Sequence, residues 1–432
     1  MYAQYISFQS ISLTATTFRQ KALAWANQFP VCAYYNNNNL AYNYQGFEPL
    51  LAVCSSSDNL IQQDQAFESL GNLNTEPDEL LCGILSYDLK NQVEKLTSHH
   101  SDKIQFPLAY FFKPTIYINF HESGFTLTST QENHQEIIKQ VINTEQIEEQ
   151  KPFGIQVQHK VDKSTYLKTV EAIRKNIEEG EIYEMNYCIE FFAENVLLHP
   201  LLLFQKLNLA SPMPFAGYFK LNETYLLCAS PERFLKKEGD KLISQPIKGT
   251  IRRGQNKEED AFLKSQLRNN EKEIGENMMI MDLVRNDLSK SCQIGSVKVE
   301  EMFGIYSFQH VFQMITTVSG KLKPEINFAA AIKNAFPMGS MTGAPKIRAM
   351  QLIEEHEASR RGMFSGSFGY IKGNGDFDFN VVIRSLQYNA TNRYLSFMVG
   401  SAITYDSVPE QEYEECLLKA KAMMQVLQAL TN

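Results

Sequence analysis

Tyr218-Phe-Lys-Leu-Asn-Glu-Thr-Tyr-Leu-Leu-Cys-Ala-Ser230 reads as two antiparallel β-strands, 218–221 and 224–230, joined by a tight turn. Residues 381–388 and 394–399 repeat the pattern further along, while 258–288 and 410–430 have the length and composition of long helices. Strands and helices alternate without the regular βαβ beat of a doubly wound sheet. Runs of strands with helices packed outside them point to an α+β layered architecture. No repeat period or low-complexity segment interrupts it.

Working outward, 31–35, 51–54, 110–112 and 115–120 are candidate strands, and 36–39 and 55–58 are turns. Cys82–Leu89 reads as a strand entering a helix, with Gly83 permitting close backbone approach. Between 142 and 161 the chain turns polar and acidic (Glu145, Glu148, Glu149), with Pro152 and Gly154 near the end. A domain seam is expected there, dividing an N-terminal α+β portion, 1–150, from a second domain, 160–432. An amphipathic helix follows, with Tyr166, Val170, Ile173 and Ile177 at helical spacing and Gly180 as its stop, and then a strand over 181–192.

The chain has 432 residues, 44% hydrophobic and 21% charged, enough to bury a large core. A net charge of -8 argues against nucleic acid as a partner, because phosphate binding needs concentrated positive charge. Seven scattered cysteines without a CxxC pair argue for a reducing compartment and against a disulfide framework or zinc site. The N-terminus lacks the pattern of a secretory signal, and no apolar run approaches the ~20 residues of a membrane helix. The expectation is a cytoplasmic protein that does not engage a membrane.

Four stretches put charged or Gly-rich groups where a plain core would not want them. In Gln245-Pro-Ile-Lys-Gly-Thr-Ile251, downstream of Ser230-Pro-Glu-Arg-Phe234, Lys248 sits beside a glycine after a strand. A lysine partly desolvated there becomes a nucleophilic amine; taken singly it also reads as a surface lysine in a turn. Along Gly275–Asp287, Glu276 shares a helix face with Met279, Ile280 and Leu283. Such a carboxyl is protonated, paired or metal-bound, unless it lies at a solvated margin. In Phe336-Pro-Met-Gly-Ser-Met-Thr-Gly-Ala-Pro-Lys346, Gly339 and Gly343 bracket Ser340 and Thr342 ahead of a helix, so that exposed amides suit an anion or a capping turn. The spacing is not that of a Walker A loop. In the stretch 400–420, Glu412, Glu415 and Lys419 share one helix face. With Glu276 they would make a hard-oxygen site fit for Mg²⁺; alone they read as a solvated charged face.

Together these stretches resemble the chorismate-utilising enzymes: the anthranilate, aminodeoxychorismate, isochorismate and salicylate synthases. The resemblance runs from about Asp162 to the C-terminus and extends weakly to the N-terminal part through 83–89. It implies a large sandwich of two stacked, mainly antiparallel sheets flanked by helices. It implies Mg²⁺ held by Glu276 and Glu415, with Glu412 acting through water. Glu232 matches the acid that protonates the departing 4-hydroxyl of chorismate. Gly249, Thr250, Thr342, Tyr370, Arg384, Gly400 and Lys419 match positions that hold the substrate's carboxylates and ether. The fork of Arg384 suits two oxygens at once.

Within the family, Pro-Ile-Lys-Gly-Thr resembles the branch that aminates C4 through a covalent lysine intermediate, whereas C2-aminating members usually carry alanine at position 248. The resemblance thus implies a transferase that makes 4-amino-4-deoxychorismate from chorismate and ammonia, for p-aminobenzoate and folate formation. No Gly-x-Cys-x-Gly turn is present, so a separate glutaminase subunit is implied as the ammonia source. An anthranilate synthase component I and a catalytically silent chorismate-binding regulatory subunit are the alternatives. Glu184 falls where isochorismate-forming relatives carry a water-activating lysine, which argues against water addition. It also departs from the usual glutamine of ammonia-using members. Gln313 stands where many members have histidine, with His310 three residues earlier, and Ala402 replaces a glycine. The stretch Leu50–Ser56 lacks the Leu-x-Glu-Ser pattern that accompanies tryptophan feedback, so no strong inhibition by tryptophan is expected.

Overall fold

The hairpin at the centre of the sequence forms: in the computed structural model, Phe215–Leu221 pairs antiparallel with Thr224–Ser230, Leu221 opposite Thr224. The structure describes residues 1–73, 76–147 and 155–428, with the side chain of residue 428 excepted. Among them the strands form two antiparallel sheets. The larger, of twelve strands, runs in the order Tyr2–Ser7, Gly124–Ser129, Ile116–Phe120, Leu50–Cys54, Val31–Asn36, Phe215–Leu221, Thr224–Ser230, Ser385–Asn389, Tyr394–Ile403, Glu184–Ala193, Gly343–Ala344, with Gln158–His159 also against Glu184–Ala193. The smaller, of nine, runs Ile247–Arg252, Val311–Lys321, Lys241–Gln245, Arg233–Glu238, Phe377–Asn380, Ser367–Lys372, Leu80–Leu85, Ala109–Phe112, with Lys298–Ser307 also against Val311–Lys321.

The inner faces of the two sheets share one apolar layer. Tyr35 stacks on Phe368 across it, ring centroids 4.4 Å apart, and donates its hydroxyl to Gly369 O at 2.6 Å. The outer face of the larger sheet is covered by helices that include Ala15–Ala26, Lys163–Glu178, Pro200–Ala210 and Pro409–Gln428. Ala66–Gly71, Glu271–Ser291 and Phe328–Ala335 cover the smaller. The result is the layered α+β sandwich of two stacked sheets. Strands from the first 130 residues enter both sheets. The residues Glu148, Glu149, Pro152 and Gly154, where the sequence suggests a seam, lie outside the described residues.

Two expectations are corrected. The stretch 258–288 is two helices, Lys257–Arg268 and Glu271–Ser291, because the side chain of Asn270 accepts from the Glu273 amide at 3.2 Å and so caps a new helix start. The stretch 381–388 is not one strand. Phe377–Asn380 belongs to the smaller sheet and Ser385–Asn389 to the larger, and between them the chain crosses over, with Arg384 at φ +51°. A second crossing, from Thr224–Ser230 to Arg233–Glu238, runs through Pro231 and Glu232. The two crossings are bonded together: Ser230 Oγ donates to Val381 O (2.6 Å), Val381 N to Glu232 O (3.0 Å) and Ala229 N to Arg384 O (3.3 Å). Glu232 and Arg384, 152 positions apart in sequence, are therefore neighbours.

Candidate functional site

The site is built where these crossings meet the edge strand Ile247–Arg252 and the two helices Glu271–Ser291 and Pro409–Gln428. Glu232 is buried, and burial pushes its carboxyl up to about 7. A hydrogen bond from Ser340 Oγ (2.5 Å), the charge of Lys248, the Ile247 backbone and the charge of Arg384 oppose that rise. Arg384 is half-buried, and its guanidinium makes no hydrogen bond or ion pair among the described residues. Burial lowers its pKa to about 10 against the charge of Glu232. Both groups are costly to bury and incompletely compensated, as expected of groups awaiting a ligand.

Lys248 is aimed by a β-bulge. Ile247 pairs with Ile315 and Thr250 with Gln313, so one extra residue is accommodated between them. Gly249 supplies the required φ of +96°. A Cβ there would stand 3.2 Å from Glu273 Oε2 and 3.2 Å from Met314 Cβ. The Lys248 carbonyl accepts from Asn277 Nδ2 (3.1 Å), whose Oδ1 accepts from Thr316 Oγ1 (2.6 Å), which fastens the bulge to the Glu271–Ser291 helix. The Lys248 ammonium itself has no hydrogen bond or ion pair among the described residues. Its charge acts on the carboxyls of Glu184, Glu232, Glu273, Glu276 and Glu415. Five carboxyls from four elements thus lie within reach of the charge of one lysine.

Glu273 and Glu276 lie one turn apart on their helix. Burial pushes Glu276 up to about 7; Lys248 and Lys272 oppose this, and Glu273 and Glu184 add to it. Burial likewise raises Glu273, with Glu415 contributing. On the facing helix, burial works to raise Glu415, yet Lys419, Lys248 and Lys272 hold it below its ordinary value. Lys419 sits 2.7 Å from Glu415 Oε1 and donates to Gly400 O at 2.8 Å. Gly400 lets the strands Tyr394–Ile403 and Glu184–Ala193 close up, since a Cβ would come within 2.4 Å of Cys188 Sγ. Glu412 accepts from Lys272 Nζ (3.1 Å) and Ser407 Oγ (2.8 Å), and its Oε2 is buried without a partner.

The sequence matches the chorismate binding enzyme family over residues 30–425. It is 34% identical over 355 residues to an anthranilate synthase component I-like protein of Synechocystis, covering 81% of this chain and 72% of that protein. It is 33% identical over 361 residues to aminodeoxychorismate synthase component 1 of Bacillus subtilis, covering 80% and 76%. The crystal structure of anthranilate synthase component I from Streptococcus pneumoniae superposes with a TM-score of 0.75 at 25% identity, over 91% of this chain and 89% of that one. The chain belongs to the chorismate-binding enzyme family. No helix among its described residues is long and apolar enough to cross a membrane.

Of the positions singled out by resemblance to the family, the structure gathers Glu232, Lys248, Gly249, Glu276, Arg384, Gly400, Glu412, Glu415 and Lys419 around this cluster. Thr250 is half-buried opposite Gln313, whose Oε1 is buried without a partner. Thr342 is buried in the turn that carries Ser340, but its hydroxyl is directed at Met338 O (3.3 Å) and Gly339 O (3.2 Å) of that turn. Tyr370 is not brought to the cluster. Strand alternation turns it, with Phe368, into the layer between the sheets, where its ring meets Tyr35 edge-on and its hydroxyl accepts from Glu48 N (3.2 Å). His310 is exposed. Glu273 and Lys272 carry no sequence signal beyond the three-residue spacing of Glu273 from Glu276, and Ser340, expected in an anion-binding or capping turn, instead meets Glu232. Glu184 is buried, and its Oε2 has no hydrogen-bond partner among the described residues.

A divalent cation fits this chemistry. Glu276 and Glu412 share one lysine, Lys272, at 3.8 and 3.1 Å, other carboxyls crowd Glu276, and Glu412 Oε2 has no hydrogen-bond partner among the described residues, so hard oxygens outnumber the cations beside them. Among the described residues no three metal-ligating groups are gathered closely enough to hold an ion by themselves. Water or substrate oxygens would have to complete its shell.

Proposed function

We propose that this chain is the chorismate-converting component of a 4-amino-4-deoxychorismate synthase, exchanging the 4-hydroxyl of chorismate for an amino group. The observation that carries this reading is Lys248: an ammonium on a glycine bulge, with no hydrogen bond or ion pair among the described residues, whose charge acts on a group of carboxyls that includes the buried acid Glu232. The 33% identity to aminodeoxychorismate synthase component 1 of Bacillus subtilis supports it. So do two cations, Lys248 and Arg384, that make no hydrogen bond or ion pair among the described residues and would suit the two carboxylates of chorismate.

After its proton passes to a neighbouring carboxylate such as Glu184, the Lys248 nitrogen bonds to C2 of the ring. The ring double bonds shift and the C4–O bond breaks. Glu232 gives its proton to the departing oxygen, which leaves as water. Ammonia then bonds to C4, the double bonds shift back, and the C2–N bond to Lys248 breaks. A proton from the new ammonium returns to Glu232, so chorismate and ammonia give 4-amino-4-deoxychorismate and water. Arg384 and Lys419, with Gly249, Thr250, Thr342 and the Gly400 backbone, hold the substrate's carboxylates and ether. Glu276 and Glu415, with Glu412 through water, would hold Mg²⁺, whose charge would fix the ring carboxylate and offset the crowded acids. A separate glutaminase supplies the ammonia.

Anthranilate formation is the second reading, supported by the 34% identity to the Synechocystis protein. Purified protein incubated with chorismate, Mg²⁺ and an ammonium salt separates the two by chromatography. 4-Amino-4-deoxychorismate is the expected product. Anthranilate would favour the second reading, isochorismate or salicylate a lyase or isomerase, and unchanged chorismate a silent binding subunit.

A further inference from the structure

We infer that Ser340 is a positioning residue for Glu232: its hydroxyl occupies Oε1 of the buried carboxyl, so that the transferable proton of the acid resides on Oε2, and a clamp behind Ser340 holds it there. Ser340 Oγ donates to Glu232 Oε1 at 2.5 Å, and both side chains are buried. A carboxyl oxygen that accepts a hydroxyl hydrogen is the poorer seat for a proton of its own, so the neutral acid is protonated on the other oxygen. One hydrogen bond thereby fixes which edge of the carboxyl is the acid.

The clamp lies in the residues around the turn. Three successive carbonyls are each held: Ser340 O accepts from Asn186 Nδ2 (2.6 Å), Met341 O from Arg361 Nη1 (2.6 Å) and Thr342 O from the Asn186 amide (2.8 Å). Arg361 is itself buried, paired with Glu357 at 2.6 Å, and donates through Nη2 to Asn186 O at 2.9 Å. Glu357 also accepts from the Cys188 amide at 2.9 Å, which ties the turn to the strand Glu184–Ala193. This network spends buried charge on fixing three backbone atoms of a short turn. Rigid support of an acid that must meet its substrate in one orientation explains such an arrangement. The hydroxyl also opposes the effect of burial on Glu232 more than any other neighbour does; Lys248, Arg384 and the Tyr42 phenol also act on it, and Arg233 and Asp287 line the same cavity.

The inference rests on the proposed activity only in calling Glu232 the acid, and its test can be separated from that activity. The protonated carboxyl of Glu232 is followed by infrared pH titration of the full chain without substrate, the band being assigned by its loss in Glu232→Gln. In Ser340→Ala the midpoint is expected to rise by about one pH unit or more, because a hydrogen bond to the charged form is lost. Ser340→Thr, which keeps the hydroxyl, stays near the parent, and Ser340→Cys, a weaker donor, falls between. A midpoint unmoved in both Ala and Cys variants overturns the inference. With chorismate and ammonium present, the alkaline fall in rate should move with the infrared midpoint. A moved midpoint with no product from any variant would uphold Ser340 and overturn the proposed activity instead.

Discussion

Lys272 reaches from the Glu271–Ser291 helix to Glu412 on the Pro409–Gln428 helix, its Nζ 3.1 Å from Oε1. The pair spans 140 positions and joins the two helices that carry Glu273, Glu276, Glu412 and Glu415. Glu412 is almost fully buried, whereas Lys272 is 43% exposed and partly screened by water. Lys272→Ala leaves Glu412 with Ser407 as its remaining partner and should cost about 1 kcal/mol. Urea unfolding reads this, and an unchanged midpoint would show that the bridge contributes nothing to stability.

Lys248→Ala removes a cation that makes no hydrogen bond or ion pair among the described residues but whose charge favours the ionised forms of Glu232, Glu276 and Glu415. Its loss should cost about 1 kcal/mol at neutral pH, while C4 amination falls by about three orders of magnitude or more. A well-folded variant that aminates at the parent rate would eliminate the covalent step.

Gly249→Ala puts a side chain at φ +96° and a methyl 3.2 Å from the Glu273 carboxylate. The strain should cost about 1–3 kcal/mol, and misdirection of Lys248 should lower the rate at least about tenfold. Rate and unfolding measured on the same preparation test both; an undiminished rate means that the bulge does not aim the lysine.

Glu232 and Glu276 are both raised from 4.5 to about 7 by burial. Their folded forms bind protons more strongly than the unfolded chain does. The stability they contribute is therefore full below about 4.5 and is lost as pH rises through about 7, up to about 3 kcal/mol per group. As the proton donor, Glu232 also makes the rate fall on the alkaline side of about 7. Thermal unfolding across this range should show the decline in the parent and a smaller one in Glu232→Gln; identical slopes would contradict it.

Mg²⁺ should offset part of that loss, because a cation that binds only the folded cluster stabilises it by mass action. Addition of Mg²⁺ at pH 8 is expected to raise the unfolding temperature by a few degrees in the parent and to have little effect in Glu276→Gln. An equal response in both would place the ion elsewhere.

The sequence by itself determined the family, the layered α+β architecture and the identity of most charged groups in the site. It could do so because those groups sit in long contiguous motifs that resemble the family in the same order; taken singly, a lysine beside a glycine or carboxyls on a helix face read equally as surface groups. The hairpin 218–230 was equally legible, since alternation and turn residues are local properties. Only the tertiary structure decided where the chain leaves one sheet for the other, which broke the expected strand over 381–388 and set Arg384 beside Glu232. It also turned Tyr370 away from the cluster, brought in Lys272 and Glu273, and set Ser340 against Glu232. Burial, hydrogen-bond partners and the summed field of distant charges belong to three-dimensional neighbours, and residues such as Ser340 and Glu232, 108 positions apart, carry no periodic signal of their meeting.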